Sequence, residues 1–131
     1  KQIGIAPDSV VQWDGSGLSR HNLITPSAAV QLYLYMAKRS PNALAWQNSL
    51  TIGGVDGTLR NRFKGTKAEA NARGKTGTID QVSALTGYVT TAGGEKLVFS
   101  ILVNGVPENR LRVATIDEIV VALANFDGKT Q

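Results

Sequence analysis

The chain holds 131 residues, 42% hydrophobic and 18% charged, which suits one folded domain with a real core. It has no cysteine and one histidine, His21, so disulfides, thiolate zinc sites, cysteine nucleophiles and histidine triads are excluded within this chain. Net charge is +4, and no apolar run approaches the roughly 18 residues of a transmembrane helix.

The chain begins at Lys1 without a methionine or leader pattern, so we expect a piece of a longer or processed protein. Residues 9–13 (SVVQW) predict a short strand, and 14–22 (DGSGLSRHN) a loop punctuated by Gly15 and Gly17. A helix follows, with Thr25 as N-cap and Pro26 at its first position. Val30, Tyr33, Leu34 and Ala37 share one face, Leu32, Tyr35 and Met36 widen it, and Ser40-Pro41 stops it. Residues 42–50 read as a second, short helix, 53–58 (GGVDGT) as a turn, and 58–63 as a possible helical turn.

The character then changes to strands at 71–79, 84–91 and 96–103, the last two joined by an AGGE hairpin. The near-continuous apolar run at 96–103 predicts covered faces and a place in the middle of the sheet. A closing helix over 109–126 carries Val113, Ile116, Val120 and Leu123 as its apolar stripe, and Asp127-Gly128 ends it. The expected fold class is α+β: an antiparallel sheet with helices packed on it, 72–78 at its edge, forming part of a larger domain.

Positive charge concentrates between 60 and 75, in Arg60, Arg62, Lys64, Lys67, Arg73 and Lys75, against Glu69 alone. Such a patch reads as an anion site or as a solvated basic face. Only Phe63 interleaves it, so the stacking signature of nucleic-acid binding is weak.

Within ARGKTGTID, residues 72–80, two motifs overlap. Gly74-Lys75-Thr76 ends like a P-loop, but the position of the first glycine holds Glu69, and TGTID is strand-like rather than the start of a helix. Lys75-Thr76-Gly77 instead matches the K-T-G triplet of penicillin-interacting serine enzymes. An ammonium and a hydroxyl on one strand can hold a carboxylate, and glycine lets a substrate backbone lie close. A free sheet edge can pair with an extended peptide.

Around the triplet, DGSGLSRHNLITP, GGVDGTLRNRF and ARGKTGTIDQVSALTGYVTT together resemble the class C low-molecular-mass penicillin-binding proteins, the D-alanyl-D-alanine carboxypeptidase/endopeptidases of bacterial peptidoglycan. The resemblance runs over nearly the whole chain. It implies that 1–131 is the C-terminal segment of a penicillin-recognising, β-lactamase-like transpeptidase domain. No serine is followed by lysine three residues on, and Ser40-Pro41-Asn42, a formal S-x-N, reads as a helix stop. Two of the family's three motifs are therefore expected upstream of Lys1, and the chain alone is expected to be inactive.

By resemblance, Lys75 is the catalytic and carboxylate-binding lysine, Thr76 and Thr78 bind substrate, Gly77 gives clearance, and the Thr78 N–H is half of the oxyanion hole. Asp14, Ser16 and Ser19 either line the cleft or brace their own loop, and Arg60 and Arg62 either meet a substrate carboxylate or lie on the surface. His21 reads as a hydrogen-bonded surface histidine. The resemblance implies no metal and no organic cofactor. The implied partners are a peptidoglycan stem peptide, β-lactam antibiotics and the missing N-terminal part, not nucleic acid; the implied location is periplasmic or otherwise extracytoplasmic. The alternative is a non-catalytic peptide-binding module with a retained K-T-G strand.

Overall fold

The computed structural model describes residues 3–128, and the structural statements below concern those residues. The strand expected at 9–13 is β1 (Val10–Val11), and it pairs with an unanticipated β2 (Leu23–Ile24) in the register Val10↔Ile24 and Val11↔Leu23. The segment between them runs from 12 to 22, so the loop expected at 14–22 begins two residues earlier. Helix α1 (Pro26–Lys38) starts as its sequence dictates: Thr25 Oγ1 accepts the Ala28 N–H at 3.1 Å, and Pro26 occupies a position where a missing N–H costs little. Tyr33, Ala28 and Ala29 are buried, and Val30, Leu34, Met36 and Ala37 are half-buried, so the helix is covered on several sides. Helix α2 (Ala43–Ser49) follows the Ser40-Pro41 stop.

The main sheet contains β3 (Thr51–Ile52), β4 (Arg73–Ile79), β5 (Val82–Thr90) and β6 (Lys96–Asn104), in that spatial order and antiparallel throughout. β4 pairs β5 from Arg73↔Tyr88 to Ile79↔Val82, and β5 pairs β6 from Val82↔Asn104 to Thr90↔Lys96. A 3₁₀ turn at Gly57–Leu59 stands where the helical turn was expected. Helix α3 (Asn109–Asn125) closes the fold. The α+β class is as expected from the sequence.

Two details of the sheet differ from expectation. β4 is not an edge along its whole length, because Thr51↔Gly74 and Ile52↔Arg73 pair its first residues with β3. From Lys75 to Ile79 no described strand flanks it, so the edge is free there. β6 lies at the end of the sheet and not in its middle. Its apolar run does have helices on both faces, since α1 and α3 both contact it. Periodicity reports what covers the faces of a strand and is silent about neighbours in the plane.

The core lies on the α3 face. Leu59, Phe63, Ala68, Ala72, Leu85, Val89, Phe99, Ile116, Val120 and Ala124 form one cluster, and the partly buried Leu97, Ile101 and Val103 join it. Two strand glycines make this face possible. A Cβ on Gly87 would stand 2.1 Å from the Arg73 carbonyl oxygen, and one on Gly74 would stand 2.6 Å from that of Thr86. On the opposite face, Tyr33, Trp46 and Tyr88 tie α1, α2 and β5 together. Trp46 Nε1 donates to Tyr88 Oη at 3.0 Å, and Tyr88 Oη donates to the Tyr33 carbonyl at 2.7 Å.

Burial pushes the Tyr33 phenol up to about 12 from its ordinary 10.0, and a smaller contribution comes from a neighbouring Tyr88 phenolate. The folded state therefore holds a proton that the unfolded chain releases first. This contribution to stability is complete below pH 10.0 and is lost as pH rises toward about 12. Tyr33→Phe should flatten that alkaline decline in a series of denaturant titrations, while wild type keeps it.

The α3 stripe contains a charge that the apolar pattern does not announce: Arg112 is only 3% exposed. Its guanidinium donates to Ser83 Oγ at 2.9 Å, to the Pro107 carbonyl at 2.8 Å, to Asn109 Oδ1 at 3.2 Å and to the Val106 carbonyl. These bonds fasten the β6–α3 connection to β5. Arg112→Met should leave buried acceptors without donors and lower unfolding free energy by about 1–3 kcal/mol, read from urea midpoints.

Candidate active site on the K-T-G strand

The free edge of β4 carries Lys75, Thr76, Gly77 and Thr78 in succession. Strand alternation and the register to β5 place Lys75 and Gly77 on the α1 face, opposite Thr86 and Ala84. Thr76 and Thr78 occupy the α3 face. Lys75 is exposed, and its ammonium donates to the Thr76 carbonyl at 2.6 Å. Thr76 Oγ1 donates to Thr58 Oγ1 at 2.9 Å, which docks the 3₁₀ turn against the strand. Gly77 differs from Gly74 and Gly87. A Cβ there would meet nothing closer than the Ala84 Cβ at 3.8 Å, an ordinary contact. The fold does not require glycine at 77.

A cleft of about 450 Å³ opens beside the far end of this edge. Gly77, Thr78 and Ile79 form one wall, and Gly17, Ser19 and Arg20 of the 14–22 loop form another. The floor includes Ala84, Leu102 and Asn104. The loop is held over the strand by Arg20, whose Nη1 lies 3.0 Å from Asp80 Oδ2. Both side chains are well exposed, so the pair contributes to geometry more than to stability. The partners of the Arg20–Asp80 pair lie 60 residues apart, and no local signal in the sequence connects them.

Of the other candidates, Ser19 lines the cleft, while Asp14 and Ser16 do not. Asp14 Oδ1 accepts from Ser16 N at 3.0 Å, Ser16 Oγ at 2.9 Å and Asn22 Nδ2 at 3.0 Å. Those bonds, with Asn22 first, hold the Asp14 carboxyl below its ordinary range. Asn22 Oδ1 in turn accepts from the backbone N–H groups of Trp13 and Asp14. Asp14, Ser16 and Asn22 thus brace the loop, and the turn chemistry of asparagine in SRHN is the local signal for it. His21 is exposed against the Trp13 ring, 5.3 Å between centroids, consistent with a surface histidine.

Arg62 is neither in the cleft nor free on the surface. Its Nε and Nη2 bind Asp117 Oδ1 of α3 at 2.9 and 2.6 Å, its side chain is 14% exposed, and its guanidinium stands 5.4 Å from the centre of the Phe63 ring. Arg60 is exposed and does not line the cleft. The basic run at 60–75 is thus split, with Arg62 against α3 and Arg73 and Lys75 on the α1 face. No helix of the described residues is long and apolar enough to cross a membrane.

The four-stranded antiparallel sheet between helices matches the fold of solved penicillin-binding proteins. The structure of penicillin binding protein 4 (dacB) from Haemophilus influenzae matches with a TM-score of 0.84 and 30% identity, over 95% of this chain and 30% of that one. The same protein complexed with a novel beta-lactam matches with a TM-score of 0.77 and 30% identity, over 91% of this chain and 30% of that one. The chain belongs to the D-Ala-D-Ala carboxypeptidase 3 (S13) family, whose model matches residues 1–126. Among curated relatives, the D-alanyl-D-alanine carboxypeptidase of Actinomadura sp. (strain R39) is 44% identical over 131 residues, 96% of this chain and 24% of that protein. The chain thus spans about a quarter of the length of the curated relatives it matches.

Proposed function

We propose that residues 1–131 are the C-terminal segment of a penicillin-binding transpeptidase-like domain, and that they supply the substrate-binding strand of a serine-type D-Ala-D-Ala carboxypeptidase/endopeptidase. The observation that carries this reading is the free Lys75–Thr78 edge in a chain of this family; Gly77 and Thr78 line the adjoining cleft, and Lys75 and Thr76 lie on the same edge outside it. A peptidoglycan stem peptide lies along that edge as an added strand. The Lys75 ammonium holds its terminal carboxylate, and the missing side chain at Gly77 leaves room for its backbone. Thr76 and Thr78 contact the ligand from the other side of the edge.

The nucleophile is a serine on the upstream part of the same protein, activated there by a lysine. It attacks the D-Ala-D-Ala carbonyl, and the Thr78 N–H stabilises the oxyanion. Loss of the terminal D-alanine leaves an acyl-enzyme, which water hydrolyses. A β-lactam follows the same path to an acyl adduct. The reaction takes place outside the cytoplasm, where peptidoglycan is.

The 131-residue chain alone should show no covalent label after incubation with a fluorescent penicillin, because it has no Ser-x-x-Lys motif. The longer natural protein should be labelled at an upstream serine. Intact-mass and peptide mass spectrometry read both results. A label located within these 131 residues would overturn the assignment of the nucleophile, and an unlabelled longer protein would overturn the enzymatic reading.

A further inference from the structure

A second hollow lies on the α1 face at the opposite end of the strands, with a volume of about 620 Å³. It shares no lining residue with the cleft at Gly77. Val30, Leu34 and Ala37 of α1 form its apolar roof, and Tyr88, Thr90 and Val98 its floor. The floor is firm, because Tyr88 is held by Trp46 and by the Tyr33 carbonyl. Thr90 is pinned by Asn71, whose Oδ1 accepts the Thr90 N–H at 2.9 Å and whose Nδ2 donates to the Thr90 carbonyl at 2.8 Å.

The charges around this hollow have one sign. Lys38, Arg73 and Lys96 line it, and no aspartate or glutamate does. The register explains the grouping: Arg73 pairs across to Tyr88, Tyr88 to Val98 and Thr90 to Lys96, so both strand cations fall on the α1 face. Lys38 descends from the last turn of α1. The ion pairs of the described residues, Arg20–Asp80 and Arg62–Asp117, involve none of these three cations. Like charges around a low-dielectric hollow repel one another and raise the local concentration of anions. The size is that of a small-molecule site.

We propose that this hollow binds an amphiphile with one anionic head and a short alkyl chain. The chain lies between α1 and the sheet, and the head sits among Lys38, Arg73 and Lys96. A bare inorganic anion leaves the apolar roof unused, and a neutral apolar molecule leaves the cations unpaired. The proposal is independent of the acyl-transfer reading and stands whether or not the chain takes part in catalysis.

The test uses decanoate as the probe and isothermal titration calorimetry as the readout, in the longer protein proposed above and in the 131-residue chain. Saturable binding is expected, with acetate and decanamide each weaker by about tenfold or more. Lys38→Gln with Lys96→Gln should weaken decanoate about tenfold and leave decanamide unchanged. Val30→Phe with Val98→Phe, which narrows the hollow from roof and floor and keeps the cations, should weaken decanoate about tenfold or more; a thermal melt confirms folding of each variant. Absence of saturation, or equal affinity in the charge variant, would overturn the proposal. Sedimentation with phosphatidylglycerol vesicles in the absence of any binding to monomeric decanoate would also overturn it, since a membrane surface would then be the ligand.

Discussion

Replacing Lys75 by alanine in the longer protein proposed above should lower kcat/KM for a D-Ala-D-Ala peptide by about tenfold to a hundredfold while leaving the thermal melt almost unmoved. The lysine is exposed on a free strand edge, and its ammonium meets only the carbonyl of its own neighbour, Thr76. Losing such a side chain shifts stability by about half a kcal/mol or less. Under the proposed role the same ammonium holds a carboxylate through the reaction, and one charge-assisted hydrogen bond is worth about 1.5–3 kcal/mol. Lys75→Arg should restore only part of the loss, since a wide planar guanidinium replaces a compact ammonium. A wild-type kcat/KM in Lys75→Ala with an intact melt would remove Lys75 from the site.

The glycines of the sheet should separate fold from function still more sharply. Gly77→Ala should fold as well as wild type or better, because its Cβ meets only Ala84 at 3.8 Å and alanine is the less flexible residue in the unfolded chain. Under the proposed role its methyl group would stand in the path of the substrate backbone, and a displacement of that order costs about a hundredfold in turnover. Gly87→Ala should do the reverse. Its Cβ would sit 2.1 Å from the Arg73 carbonyl, so β4 and β5 must move apart, at a cost of about 1–3 kcal/mol or more. Steady-state kinetics beside chemical denaturation distinguishes the two. Normal turnover in Gly77→Ala would show that the space at 77 is not used by substrate.

What the sequence disclosed follows from the range of its signals. Thr25-Pro26 sets a helix start within four residues, and the α1 N-cap formed as its chemistry requires. The three-strand meander was legible because β4, β5 and β6 are long enough to show a pattern and are joined by short turns. β2 and β3 are two residues each, too short for any period, and they exist through partners elsewhere in the chain. β3 is what removes Arg73 and Gly74 from the free edge. Arg112 stayed hidden because a charge in a helix reads as solvent-facing until the carbonyls that enclose it are known. Arg62 falls among basic neighbours in the sequence, while its partner Asp117 lies 55 residues away. The K-T-G residues were legible because a motif is local; the faces they occupy needed the register.

The terminal position of β6 has a consequence for making this protein. Its nine residues, KLVFSILVN, present an unpaired backbone edge with almost no charge along it. Lysine at 96 is the one ionic gatekeeper, at one end; the middle offers only Ser100. Long apolar edges of this kind template the addition of further identical strands, the first step of cross-β aggregation. Whatever covers this edge in the longer protein proposed above would act as an internal chaperone, because an uncovered β6 recruits another copy.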